Sequence, residues 1–162
     1  MQSRLEDALE ARHHERAEMR VAQDRAAKSA PTVLVVEDSE VIRRVLKLVL
    51  EAEGYRVLEC ADGRRVMDLA RDSQPDAITL DLCLPGVDGR ELLRILHGDK
   101  TLGRVPVIVV SAFADGLSPS DRSEAADVIL KPFDLDDLLE RVGRAIRSRP
   151  GGDRLSSQRE SA

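Results

Sequence analysis

Aromatic side chains are nearly absent from this 162-residue chain, which has one Tyr, two Phe and no Trp. Without rings there is no platform on which bases could stack, so single-stranded nucleic acid loses its usual docking surface. The core must come from Val, Leu, Ile and Ala. Excess positive charge is also lacking, since 25 Lys and Arg stand against 30 Asp and Glu, for a formal net charge of −5. That balance gives no reason to expect binding to nucleic acid. No apolar run approaches the length of a membrane span, and the N-terminus is too charged for a signal peptide, so membrane insertion is not expected. Cys60 and Cys83 lack metal-ligand spacing and read as free thiols of a reducing cytosol, which predicts a cytoplasmic protein. His13, His14 and His97 show no ligand spacing either. No GxxxxGK[ST] loop occurs, which removes a GTPase of the P-loop kind.

What the chain does have is five short apolar runs that read as strands, four of them followed by acids or other polar residues. Val33 to Val36 leads into Glu37 and Asp38, and Ala77 to Leu80 into Asp81. Val107 to Val110 leads into Ser111, and Val128 to Leu130 into Lys131-Pro132. The remaining run is Arg56 to Cys60. Strands buried on both faces of a parallel sheet look like such runs. In an open parallel sheet the carboxyl ends of the strands share one crevice. Glu37, Asp38, Asp81, Ser111 and Lys131 are therefore expected to converge there, as a set able to hold a divalent cation and a phosphoryl group.

Helical patterns alternate with the strands. One runs from about Ser39 to Glu53, with Val41, Ile42, Val45, Leu46, Val49 and Leu50 at helical spacing, Ser39 as cap and Gly54 as stop. A second begins near Asp62 and ends before Gln74-Pro75, and a third runs from Asp88-Gly89 to His97-Gly98. Asp115 to Ser120 carries Gly116 and Pro119, so the fourth helix is expected to be short, starting after Pro119, or poorly ordered. A fifth runs from Asp134 to about Arg147, with Leu135, Leu138, Leu139, Val142 and Ile146 inward. The length suits one domain with flanking segments. Residues 1–30 read as a helical extension, 31–148 as the domain, and 149–162 as a polar, disordered tail with no output module in it. The extension lacks a sustained apolar stripe, which leaves a solvated segment, partner docking or a homodimer contact as its readings.

The residues at the strand ends resemble a response-regulator receiver domain of two-component signalling, of the single-domain chemotaxis type. Glu37-Asp38 fits the acidic pair, Asp81 in DLCLPGVDG the phospho-accepting aspartate, Ser111 the hydroxyl switch and Lys131-Pro132-Phe133 the Lys-Pro-Phe run. The match covers roughly residues 31 to 148. It implies an α/β flavodoxin-like (βα)5 sandwich with parallel strand order 2-1-3-4-5. It further implies Mg²⁺ ligated by Asp38, Asp81 and the backbone carbonyl of Cys83, with Glu37 acting through water. Asp81 would be phosphorylated by a histidine kinase or phosphotransfer protein, Lys131 would meet the phosphoryl group, and a downstream protein would read the result. Pro132 would fit a cis peptide. Val128 stands at the second switch position, where the family usually has an aromatic, so no ring can turn there. Taken singly, Glu37 or Asp38 reads as an acid at a helix N-terminus, Asp81 as a turn residue and Lys131 as a solvated charge. Asp88 reads as a helix cap and Gly89 as turn geometry.

Two other functions compete. A receiver fold can act as a scaffold or adaptor largely independent of phosphorylation. An aspartate-nucleophile phosphatase would carry a second Asp two residues after the first, where this chain has Cys83. An enzyme is therefore not expected. In receivers the residues two beyond the phospho-acceptor and two beyond the hydroxyl switch flank the path of hydrolytic water. Here they are Cys83 and Phe113.

Overall fold

Apolar stretches too short to bury themselves alone assemble here into one parallel sheet. A computed structural model describes residues 12–21 and 30–149. The chain divides between Ala30 and Pro31 into two units, each described by itself. In the first, residues 12–21 are helical, Met19 and Val21 are exposed, and His14 faces Glu18 one turn on at 3.3 Å. The rest of the expected N-terminal helix, and the tail beyond residue 149, lie outside the described residues.

The second unit alternates strand and helix. Strand β1 (Thr32–Val36) is followed by α1 (Glu40–Ala52), β2 (Arg56–Cys60) and, after a 3₁₀ turn at Gly63–Arg65, α2 (Val66–Ser73). Then come β3 (Ala77–Leu80), α3 (Gly89–Gly98), β4 (Val107–Ser111), α4 (Pro119–Glu124), β5 (Asp127–Leu130) and α5 (Leu135–Arg147). The sheet order is β2-β1-β3-β4-β5, every pair parallel. This is the flavodoxin-like order.

Alternation along the strands splits the core into two layers. Val33, Val35, Ala77, Ile108, Val110 and Ile129 pack on one face with Leu46 and Leu50 of α1 and Leu138, Val142 and Ile146 of α5. Leu34, Val36, Ile78, Leu80 and Val109 pack on the other with residues of α2 and α3. Fully burying a Leu, Ile or Val side chain is worth about 1.5–3 kcal/mol, so the two layers supply the main driving force.

Helix boundaries follow local chemistry. The Ser39 hydroxyl accepts from Ile42 N, the Asp62 carboxylate from Arg64 N, and the Asp134 carboxylate from Asp136 N and Asp137 N. Gly54, at φ +89°, lets the chain leave α1 in the left-handed region. Helix α4 begins at Pro119, and Ser118 and Asp121 close a capping box over it. Burial is incomplete on two of the helices. Val41 and Val45 of α1 are exposed, because the apolar arc of that helix is wider than the face the sheet can cover. Leu135 of α5, expected to face inward, is exposed.

Candidate functional site

The carboxyl ends of β1, β3, β4 and β5 meet at one end of the sheet, and their trailing residues meet there too. Lys131 Nζ lies 2.6 Å from Glu37 Oε2 and 3.1 Å from Asp81 Oδ2, bridging two acids from different strands. Glu37 is 2 % and Asp81 5 % exposed, whereas Asp38 is exposed. Glu37, Asp38 and Asp81 each present a carboxylate oxygen within 4.8 Å of the others. Backbone donors hold two of them: Ser39 N reaches Glu37 Oε1 at 3.1 Å, and Cys83 N reaches Asp81 Oδ1 at 3.1 Å. Asp81 N in turn donates to Val36 O, and Glu37 N to Cys60 O, so the ladder carries the geometry one residue beyond each strand.

Electrostatics set the character of the pocket. Burial pushes the Glu37 carboxyl above its usual range, and the hydrogen bonds from Lys131 and Ser39 N only partly oppose this. Burial opposes the charge on Lys131, but hydrogen bonds to Glu37 and Asp81 outweigh it, so the ammonium is held above its ordinary pKa. Three carboxylates against one ammonium leave excess negative charge in a confined space. A hard divalent cation would relieve it. The donors are all oxygen, and the exposed Asp38 leaves an open side for the waters such a cation retains. The residues fit that group.

The remaining residues close around this cluster. Ser111 is fully buried; its Oγ accepts from Phe113 N at 3.3 Å and lies 4.0 Å from Cys83 Sγ. Lys131 N donates to Ser111 O, which ties the ends of β4 and β5 together, and the Lys131–Pro132 peptide is cis. Cys83 is exposed beside the pocket, whereas Cys60 is buried, and burial raises its thiol pKa. Phe113 is 63 % exposed. Val128 is half-buried against the α2/α3 side of the core.

Two residues have roles that strand-end reading alone does not reach. Gly89 is a matter of close approach rather than of turn conformation: a Cβ there would sit 2.4 Å from Leu82 Cα and 2.6 Å from Leu82 O. The positive φ of the loop belongs instead to Gly86, at +71°, inside a small hairpin that pairs Cys83–Leu84 with Val87–Asp88. Arg43, one turn into α1, points back at the acidic pair, its Nη1 2.9 Å from Glu37 O and 3.3 Å from Asp38 O. Its place six residues after Glu37, in a helix that starts at Glu40, is the only signal the sequence offers.

An α/β sheet with a lysine-bridged acidic pocket at its strand ends defines a class, and the comparisons with known proteins say which. A family model described as the response regulator receiver domain matches residues 33–143, and the chain belongs to that family, a family of two-component signalling. The transcriptional regulatory protein CseB of Streptomyces coelicolor is 39 % identical over 127 residues, covering 75 % of this chain and 53 % of its own. The polar-differentiation response regulator DivK of Brucella ovis is 40 % identical over 83 residues, covering 51 % of this chain and 68 % of its own. The chain spans about half the length of the first of these relatives. Among solved structures, response regulator TrrA of Thermotoga maritima, in complex with Mg²⁺-BeF, superposes with a TM-score of 0.65 at 27 % identity. That match covers 71 % of this chain and 98 % of TrrA. The receiver domain of a sensor histidine kinase of Pseudomonas aeruginosa PAO1, with a magnesium ion in its active-site cleft, gives 0.64 at 32 %. It covers 74 % of this chain and all of that one. No helix among the described residues is long and apolar enough to cross a membrane.

Proposed function

We propose that this chain accepts a phosphoryl group on Asp81 from a histidine kinase or phosphotransfer protein and signals the change through protein–protein contact. The observation that carries the reading is Lys131 Nζ, held between Glu37 and Asp81 beside three clustered carboxylates. Asp38, Asp81 and the Cys83 carbonyl would hold Mg²⁺, with Glu37 joined through water. Bound there, the cation neutralises oxygens of the incoming phosphoryl group.

The chain's own residues then have defined tasks. An Asp81 carboxylate oxygen attacks phosphorus, the bond from phosphorus to the donor's leaving atom breaks, and an acyl phosphate remains on Asp81. Lys131, already within hydrogen-bond distance of Asp81, passes to a phosphoryl oxygen as charge arrives there. Glu37 keeps the ammonium anchored during that exchange. Ser111 Oγ turns from the Phe113 amide to the phosphoryl group, which draws residues 111–113 inward. With Val128 in place of a ring, that movement has no aromatic rotamer to drive, and its output runs through the β4–α4 loop.

The test is incubation with acetyl phosphate and Mg²⁺, read by intact mass. The wild type gains one phosphoryl group, whereas Asp81→Asn gains none and keeps its circular-dichroism spectrum. Label on the Asn variant would sink the assignment. The second reading, a scaffold independent of phosphorylation, is favoured by Val128. A downstream protein that binds wild type and Asp81→Asn equally, with or without acetyl phosphate, would establish it.

A further inference from the structure

The acidic pair must keep its carboxylates together in the absence of any cation, and the turn that carries it has little ladder support. The registered pairing of β1 with β2 and β3 ends at Val36, and beyond it Glu37 N and Asp81 N still find carbonyl partners. The carbonyls of Glu37 and Asp38 are met from the side by one side chain. Arg43 Nη1 donates to both, at 2.9 and 3.3 Å, while its Nε faces Glu59 Oε1 of β2 at 3.4 Å. The other oxygen of Glu59 takes Lys47 Nζ at 3.0 Å, so the carboxylate that anchors the guanidinium is itself held from α1. The Arg43 side chain is 17 % exposed, which limits the alternative positions it can take.

We infer that Arg43 is a positioning residue for cation binding: it clamps the Glu37-Asp38 turn to β2 so that the two carboxylates face Asp81. The inference rests on the cation site proposed above. The planar guanidinium presents Nη1 to the two carbonyls and Nε to the carboxylate in one fixed fork, whereas an ammonium on a flexible stem offers all its donors from a single point. Groups that orient ligands without touching the metal commonly change metal affinity by tenfold or more when removed. The partners of Arg43 are Glu37 O, Asp38 O and Glu59, and it makes no hydrogen bond or ion pair with the Asp81 carboxyl.

The test is calorimetric titration of the full chain with Mg²⁺, paired with thermal melts in EDTA. Arg43→Met is expected to bind Mg²⁺ about tenfold more weakly than wild type while still giving a cooperative melt. Arg43→Lys, which keeps the charge and folds more readily, is expected to recover only part of the loss, remaining about threefold weaker. Wild-type affinity in both variants overturns the clamp, as does a lowered melting temperature without a change in affinity. Full rescue by Lys overturns the geometric role, because charge alone would then suffice. If the wild type binds no Mg²⁺, the clamp falls with the cation site. If it binds Mg²⁺ but is never labelled on Asp81, the phosphoryl reading fails and the clamp is judged on affinity alone.

Discussion

Two side chains beside the pocket decide how long a phosphorylated state would last. Hydrolysis of an aspartyl phosphate needs a water aligned in line with the bond that breaks, and polar groups along its path do the aligning. Cys83, two residues past Asp81, offers a thiol, and Phe113, two past Ser111, offers an exposed phenyl ring. Neither orients a water well. The slow step comes from the missing polar groups along the water's path. Slow self-dephosphorylation is expected, and Cys83→Asn with Phe113→Glu should shorten the lifetime by on the order of tenfold. The decay of labelled protein after donor removal measures it; equal decay of wild type and double mutant would refute the argument. These residues were legible because they sit at fixed offsets from strand ends. Arg43 was not, because its role depends on where a helix turn points.

Elements were legible where hydropathy and hydrogen bonding agree. All five strands and their helices fall where the apolar runs and caps put them. The differences arise where pairing extends into polar residues: β4 includes Ser111 and β5 begins at Asp127, because the register joins Ile108 to Asp127 and Ser111 to Leu130. The hairpin of Cys83–Leu84 and Val87–Asp88 is too short to leave any periodicity. It is nonetheless the element that aims Asp81, since Cys83 N holds Asp81 Oδ1 and Gly89 N reaches back to Leu82 O at 3.3 Å. A methyl group at Gly89 would meet the Leu82 backbone at under 3 Å and force the β3–α3 loop outward. Gly89→Ala should therefore cost about 1–3 kcal/mol in urea denaturation, the scale of overpacking, and lower the rate of acetyl phosphate labelling as well. Gly86→Ala, with open space around its Cβ and strain only from φ, should cost less of the labelling rate. Equal effects at the two glycines would mean that the loop, and not the contact with Leu82, is what matters.

At the scale of the whole molecule, the strand order was not legible from periodicity, which finds strands but not neighbours; it came from the resemblance, and the register bears it out. The same sheet concentrates negative charge at one end, which links stability to pH and to cation. Burial raises the Glu37 pKa above its ordinary 4.5, so the folded state holds that proton more tightly than the unfolded chain. Its contribution to stability is fully present below about pH 4.5 and is lost as pH rises through the folded value. In EDTA, Glu37→Gln should thus gain melting temperature relative to wild type as pH is taken from about 5 to 8. Mg²⁺ acts in the opposite direction, because it binds the ionised cluster. At a free concentration a hundredfold above its dissociation constant it adds about 2.7 kcal/mol to the wild type. The rise in melting temperature should be largest near neutral pH, shrink as pH falls and Glu37 takes up its proton, and be much reduced in Asp38→Ala. Calorimetric melts with EDTA and with Mg²⁺ across that pH range measure both effects. A Mg²⁺-induced rise of the same size at both ends of the range, or undiminished in Asp38→Ala, would show that the cation binds somewhere other than this cluster.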